Sequence, residues 1–403
     1  MKTQGTWFAA DAVQNAIVEE FKRHTDAPDE FLRGAAMSIV ATALGKRVRT
    51  TFAGRELTPC LWLCLVGRST RLRKTTTLEL ARRLFRTALP NSQVIQLPSS
   101  CSFEGLIDAM ASTVPQAQQI GVNRVATGWW VVNEFGAMLG NLKKKYNESM
   151  METLTDIFDV PLSVTRVTRS TGEITLPEPC VNILTATTVD WLTRLLDESD
   201  VASGFLPRWC FIPATHKSRE IAFPGERLSF PESILEALRR IGSLEGLIGL
   251  CPQALDHYVH WSREFESRKR PVAGTVGQEA FIGRLLPVVL KLSVGSAVGA
   301  GRAEVALADL EAAIVFAEWS DGVVQRLLDE ELAFTRTEKK RNKVVQVLRT
   351  HGTHIQRSEL MRASKLSMRE FDTVLDTLIA TGVVCETAGA NRSRVYRLRK
   401  NDS

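Results

Sequence analysis

The sequence predicts an α/β protein followed by a small C-terminal module. Two patterns support this. Short apolar runs of the kind that form buried parallel strands alternate with amphipathic helical segments up to about residue 225. Helical periodicity then takes over, and residues 336–400 close as three helices and two strands. The 403 residues are 44% hydrophobic and 24% charged, which suits a globular chain of two or three domains.

Residues 7–45 carry apolar positions at helical spacing, with Val13, Ile17 and Phe21 on one segment and Phe31, Ala35, Ile39 and Ala43 on the next. Asp26 to Asp29 supply turn and cap residues between them. Arg47–Phe52 alternates like a short strand, and Glu56–Pro59 leads into the run Leu61–Gly67.

That run begins the segment around which the chain is organised. Leu61–Gly67 is an apolar strand, Arg68–Arg73 a basic loop, and Lys74-Thr75-Thr76 opens an amphipathic helix. Strand, loop, Lys-Thr and helix is the order of a phosphate-binding P-loop. Backbone N–H groups and the helix N-terminus bind phosphate oxygens, a lysine neutralises β/γ-phosphate charge, and a hydroxyl ligates Mg²⁺. Gly67, Ser69, Arg73, Lys74, Thr75 and Thr76 are the candidate phosphate-binding residues, with Thr75 also a candidate for Mg²⁺. Two departures stand out. Lys74 lies seven residues after Gly67 where the usual spacing is about six, and Arg73 stands where a second glycine belongs. On this segment alone, a basic turn of an ordinary α/β domain is an equal reading.

Further strands are expected at Gln93–Leu97, Val122–Val132 and Cys180–Ala186, with helices at Phe103–Ser112 (capped by Ser102) and Met138–Asp159. Ser163–Ser170 and Glu173–Leu176 read as a hairpin. The strand Trp129–Val132 ends in Asn133-Glu134. A Walker B element ends an apolar strand in an acid that holds the Mg²⁺ shell, followed by a glutamate that polarises water. Asn133 therefore becomes a candidate metal-side ligand without charge, and Glu134 the candidate base. Lys143–Lys145 reads first as a solvated face. Thr185 or Thr187, at the tip of the neighbouring strand, is the candidate γ-phosphate sensor, with Thr187 preferred. Arg208, in Gly204–Trp209, is a candidate arginine finger. His257 and His260 share a helix face but find no third ligand, so they read as structural.

Residues 336–400 read as a winged helix-turn-helix, with its third helix at Met368–Ala380 and strands at Gly382–Glu386 and Ser393–Leu398. Charge concentrates here. Residues 331–403 hold 15 Lys+Arg against 8 Asp+Glu, while the other 330 residues hold 36 against 37. The third helix mixes Arg369 with Glu370, Asp372 and Asp376. Phosphate contacts are therefore expected from Lys339, Lys340, Arg341 and Lys343 and from the wing residues Arg392, Arg394 and Arg397. Docking to another protein is the alternative use of such a module.

No apolar run approaches the roughly 18–20 residues of a membrane helix, and the start MKTQGTWFAADAVQ lacks a leader-like apolar core. Seven scattered cysteines without Cys-x-x-Cys indicate neither a disulfide framework nor a zinc site, and the chain reads as cytoplasmic.

In this order the segments TPCLWLCLVG, Arg73–Thr76, Ser102–Leu106, Asn133–Leu139, VNILTATT, Gly204–Trp209 and Arg284–Leu292 resemble the YfjI-like P-loop ATPases of phages, plasmids and integrated elements, over roughly residues 10–330. The resemblance implies Lys74 and Thr75 on phosphate and Mg²⁺, Glu134 as base and Arg208 on phosphate. The expectation is a RecA/AAA+-like core (56–225) after an N-terminal helical lead-in (1–55), then a helical lid (226–334) and a winged helix (335–403). The function expected is an ATP-dependent DNA-handling motor of a mobile element, a replicative helicase or its loader. It would act as a homo-oligomeric ring on single-stranded or forked DNA, with any primase a separate chain. The alternative is a nucleotide-switched DNA-binding or assembly protein with weak hydrolysis.

Overall fold

The computed structural model describes residues 5–68, 71–92, 94–98, 103–111, 127–144, 148–168, 172–195, 200, 203–221, 228–269, 276–326, 336–351, 354–388 and 394–398. Contacts divide the chain into one body over 1–195 and 199–325 and a second over 326–403.

The first body is built on five parallel strands. They are β3 (Trp62–Val66), β4 (Ile95–Gln96), β5 (Thr127–Val132), β8 (Cys180–Thr187) and β9 (Trp209–Pro213), in the order β4–β5–β8–β3–β9. Every residue of β3, β5 and β8 is buried, as parallel strands covered on both faces require. The connecting helices supply that cover. On one face lie α2 (Asp29–Leu44) and α3 (Lys74–Ala88), where Trp129 stacks on Phe85 and donates its indole N–H to the Ser38 hydroxyl at 3.0 Å. The other face takes α5 (Phe135–Leu142) and α6 (Glu148–Phe158), and there Trp62, Trp209, Phe158, Phe205 and Phe135 form an aromatic cluster.

Helix α1 (Val13–His24) pairs with α2, α4 (Phe103–Ala111) forms as expected, and α7 (Val189–Leu195), which the sequence reading did not place, follows β8. The hairpin β6 (Ser163–Thr168) and β7 (Gly172–Pro177) forms in register, Thr168 facing Gly172. The expected single helix Met138–Asp159 is instead two, because α5 starts at Phe135 on a Glu134 cap and ends at Leu142. Ser102 and Lys145 lie outside the described residues. Lys143, expected on a solvated face, instead pairs with Asp200, which is 2% exposed, at 2.7 Å.

Helices α8 (Glu232–Ser243), α9 (Pro252–Lys269), α10 (Val276–Gly299) and α11 (Leu307–Arg326) match the expected helical stretch. They belong to the same body as the sheet. Helix α8 packs on α2 and α3, and α10 on α2 and on β1 (Val48–Phe52). Two short strands escaped the sequence reading. β2 (Arg55–Leu57) pairs antiparallel and β10 (Gly246–Leu247) parallel with β1. Arg302 fastens the N-terminal segment to α11 by bridging Asp11 and Asp309, at 2.5 and 2.7 Å.

Residues 280–299, within α10, are long and apolar enough to cross a membrane, yet 67% of that apolar window is buried inside the body. The segment serves as a core helix, and it carries Lys291. This lysine is 3% exposed, donates to the Cys60 carbonyl at 2.9 Å and lies 3.9 Å over the Phe158 ring. Burial pulls its ammonium below the ordinary lysine range, opposed by Cys60 and Asp159.

The second body contains α12 (Arg336–His351), β11 (Ile355–Gln356), α13 (Arg357–Ser364), α14 (Met368–Ala380), β12 (Val384–Ala388) and β13 (Arg394–Leu398). The strands form an antiparallel sheet in the order β11–β13–β12, so a third strand joins the two expected. The core is Val344, Leu348, Ile355, Leu360, Phe371, Val374, Leu375, Leu378, Val384 and Tyr396. Lys365 makes the turn between α13 and α14 in the left-handed region, and Ser367 and Glu370 cap α14 reciprocally.

Lys291→Met keeps the apolar stem and removes the buried ammonium. In the folded wild type, fewer protons are bound than in the unfolded chain between the lowered value and the ordinary one near 10.4, so wild-type stability rises with pH through that window. Urea midpoints at pH 7 and pH 9.5 test this. Lys291→Met is expected to be at least as stable at pH 7 and to lack the alkaline gain. A variant less stable at pH 7, with an unchanged pH slope, would contradict the account.

Candidate functional site

The site lies at the carboxyl ends of β3, β5 and β8, where ligands bind in open parallel sheets. Register builds it. Val66 faces Thr187 and Val132 faces Thr185, so Glu134, two residues past Val132, arrives beside Thr187. The Thr187 hydroxyl donates to Glu134 Oε1 at 2.8 Å. The same oxygen accepts the Gly136 N–H at 3.4 Å, which caps α5. Glu134 Oε2 has no hydrogen-bond partner among the described residues. Thr185 is buried with its hydroxyl unpartnered among the described residues, so of the two sensor candidates only Thr187 reaches the carboxylate.

Gly67 follows β3 directly. Its N–H donates to the Thr187 carbonyl at 3.1 Å and extends the ladder by one bond. A Cβ there would sit 2.6 Å from Leu72 Cδ1, 3.1 Å from Phe31 Cζ and 3.3 Å from the Ala214 carbonyl oxygen. Lys74, the first residue of α3, folds back so that Nζ donates to the Gly67 carbonyl at 2.6 Å and that of Arg68 at 3.1 Å. Burial lowers its proton affinity from the ordinary value, and the Glu134 carboxylate opposes that shift. Lysine and glutamate therefore share one electrostatic neighbourhood.

Arg73 caps α3 at φ 54° and ψ 31°, the left-handed conformation that a glycine would supply. The loop keeps that backbone geometry without the glycine, at a strain of about 1–2 kcal/mol. The Arg73 side chain is held at Nε, which donates to Asp26 Oδ1 at 3.0 Å, while Lys217 pairs with Asp26 Oδ2. Asp29 pairs with Lys22 and Arg219, and Arg219 also donates to the carbonyls of Thr25 and Ala27. The α1–α2 connection thus grips both the segment leading into α3 and the stretch after β9. The sequence offered no periodic signal for this grip, because Asp26 and Lys217 are far apart in the chain and each reads locally as a turn residue.

Thr75 and Thr76 are exposed on the first turn of α3, their hydroxyls without partners among the described residues, and Asn133 is exposed at the tip of β5. Ser69 lies outside the described residues. One hydroxyl, one amide and one carboxylate suit Mg²⁺, which keeps waters and takes much of its coordination from substrate phosphates. No group of three or more His, Cys, Asp or Glu suited to a metal occurs among the described residues.

Arg208 is not brought to this cluster. It ends a 3₁₀ turn, Leu206–Arg208, before β9, and β9 runs parallel to β3 with Trp209 facing Trp62. It therefore lies at the opposite end of the sheet, about 16 Å away for a five-residue strand. Its side chain is 8% exposed, bonded to Asp159 at 2.6 Å and to the Gly204 carbonyl at 2.8 Å. Within this chain Arg208 is thus buried and paired away from the Lys74–Glu134 cluster, and the expectation for it concerned a neighbouring copy's site.

In the second body, Lys340 pairs with Glu370 at 2.8 Å and Arg394 with Glu386 at 3.2 Å. Lys343 is exposed, Arg341 and Arg397 are half-buried, and Arg397 Nε is unpartnered among the described residues. Arg392 and the Lys339 side chain lie outside the described residues. The outward face of α14 carries Arg369, Thr373, Asp376 and Thr377, a face with no basic excess.

Gly67→Ala forces Leu72, Phe31 or the Ala214 backbone to yield. It should cost about 1–3 kcal/mol of folding stability, read by chemical denaturation. A cost below about 0.5 kcal/mol, the size of an ordinary surface substitution, would show that the loop has room there. Comparison with protein-family models and with curated proteins finds no match for this chain.

Proposed function

We propose that the first body is a RecA/AAA+-like P-loop core that binds and hydrolyses ATP, and that the chain couples this to handling DNA. One observation carries the reading. Glu134 is fixed through one carboxylate oxygen by Thr187, whose carbonyl accepts the Gly67 N–H, and the Gly67 carbonyl in turn accepts the Lys74 ammonium, all at the carboxyl end of adjacent parallel strands. The strand order supports it as well, since the sensor strand β8 separates the P-loop strand β3 from the acidic strand β5.

In this reading Lys74 exchanges its two carbonyl partners for β- and γ-phosphate oxygens, a trade of neutral acceptors for charged ones. The α3 N-terminus adds its N–H groups. Mg²⁺, held by Thr75 and by water on Asn133, would neutralise phosphate charge. Glu134 Oε2 takes the proton of the attacking water, while Thr187 holds Oε1 and with it the rotamer of the base. Thr187 is a positioning residue in this scheme.

The DNA part rests on the C-terminal body, read as a winged helix-turn-helix, on its basic excess, and on the resemblance to mobile-element ATPases. With Asp372 and Asp376 on the third helix, contact falls to Lys343, Arg341, Arg397 and their neighbours and to phosphate, not base edges. A nucleotide-switched assembly protein is the second reading. Asn133 in place of the metal-side acid favours it, because it removes charge from transition-state stabilisation.

ATP turnover with and without single-stranded DNA separates the two. A motor shows DNA-stimulated hydrolysis that Lys74→Ala abolishes. A switch binds ATP in calorimetry with no DNA-dependent turnover. Absence of both binding and turnover overturns the nucleotide reading. Glu134→Gln should lower kcat by about 10²–10⁴-fold while ATP binding persists. Thr187→Val should lower kcat by roughly tenfold with KM little changed, since it frees the base without touching substrate. A Thr187→Val enzyme with unchanged kcat would remove the positioning role.

A further inference from the structure

The residue that breaks the P-loop pattern, Arg73, combines an exposed guanidinium with a place directly before Lys74. Arg73 is tied by Nε alone. Its two Nη groups make no hydrogen bond among the described residues, and its side chain is 52% exposed. It precedes Lys74 directly, at the N-cap of α3, on the mouth of the proposed phosphate site. The Asp26 carboxylate that holds it is 8% exposed by side chain and has a second cation, Lys217, on its other oxygen. Asp26 is thus shared by two cations, and Arg73 keeps an exposed guanidinium next to Lys74 in sequence.

We propose that Arg73 is a phosphate ligand of this loop. Asp26 is the positioning residue that fixes the guanidinium through Nε and leaves the Nη edge for a bidentate bond to a polyphosphate. The inference rests on the P-loop reading above and adds a ligand to it. Its chemistry follows from what the loop lacks. A consensus loop presents glycine N–H groups close to the phosphates. Here a bulky side chain stands in that place, and a planar fork of charged donors replaces amide donors as the recognition element. Arg68 and Arg71, both exposed and without ion pairs among the described residues, lie in the same loop and add to the positive field. The ligand class is an inorganic or nucleoside polyphosphate, recognised by charge.

Calorimetry of the full-length protein with Mg-ATP and with tripolyphosphate tests this. Arg73→Gln keeps a donor for Asp26 but loses the charged fork, and Arg73 is exposed enough that the fold should survive. The expected result is about a tenfold loss of affinity for both probes, with a cooperative unfolding transition retained at a somewhat lower melting temperature. Arg73→Lys should restore part of it. Asp26→Asn should weaken binding less than Arg73→Gln, and should add nothing to Arg73→Ala in a double-mutant cycle. Binding by Arg73→Gln equal to wild type, with Lys74→Ala inactive, overturns the role of Arg73 and leaves the P-loop reading standing. An Asp26→Asn effect that adds fully to Arg73→Ala overturns the positioning role. Wild-type protein that binds neither probe overturns both readings.

Discussion

The site depends on one constraint, the parallel ladder that locks β8 between β3 and β5. Side chains alternate along a strand, so a shift of one residue would turn Thr187 away from Glu134. Pairing of Val66 with Thr187 and Val132 with Thr185 fixes which residues emerge together at the sheet edge. The Gly67 N–H adds a further bond to Thr187. Burial of all three strands makes the register costly to change, because slippage would carry complete apolar rows out of register with their helices.

The two ends of this sheet hold charge in different ways. At the carboxyl end, Lys74 leans on backbone carbonyls and Glu134 has one oxygen committed and one open. Such groups can exchange partners without leaving an ion buried alone. At the amino end, Arg208 is closed against Asp159, and Lys291 sits within the apolar core against a carbonyl and a ring. Removing a partner there would strand a buried charge, which costs several kcal/mol. The proposed chemistry is placed at the first end for this reason, and the second holds its charges closed.

The architecture was readable from the sequence where periodicity was strong. The apolar runs of β3, β5 and β8, the hairpin β6–β7 and the core of the second body follow from patterns of spacing 2 and 3.6. Lys74, Glu134 and Thr187 were also readable, because each follows or ends a strand of the same sheet. What stayed hidden were contacts made by residues far apart in sequence. The pairing of β10 with β1, the end of α5 at Leu142 and the Asp26–Lys217 pair have only local signals, and those signals describe turns. The place of Arg208 in the sheet stayed hidden for a related reason. A glycine-led loop before a strand names a place in the sequence, but not which end of the sheet that place occupies, and a parallel strand begins at the far end from its neighbour's active loop.

Arg73 shows how a departure from a pattern can keep the physical requirement behind it. A left-handed residue at the α3 N-cap is needed for the loop to turn into the helix, and glycine usually meets that need without strain. Arginine meets it at a cost of about 1–2 kcal/mol, offset here by its ion pair with a largely buried Asp26. That carboxylate is shared with Lys217 on the segment after β9, and Phe31 of α2 lies under Gly67. The conformation of the loop is therefore specified by the N-terminal helix pair as much as by its own sequence. The strand order and the Glu134–Thr187 pair do not need Arg73. Its position before Lys74 and its exposed guanidinium are what the proposed phosphate contact would use.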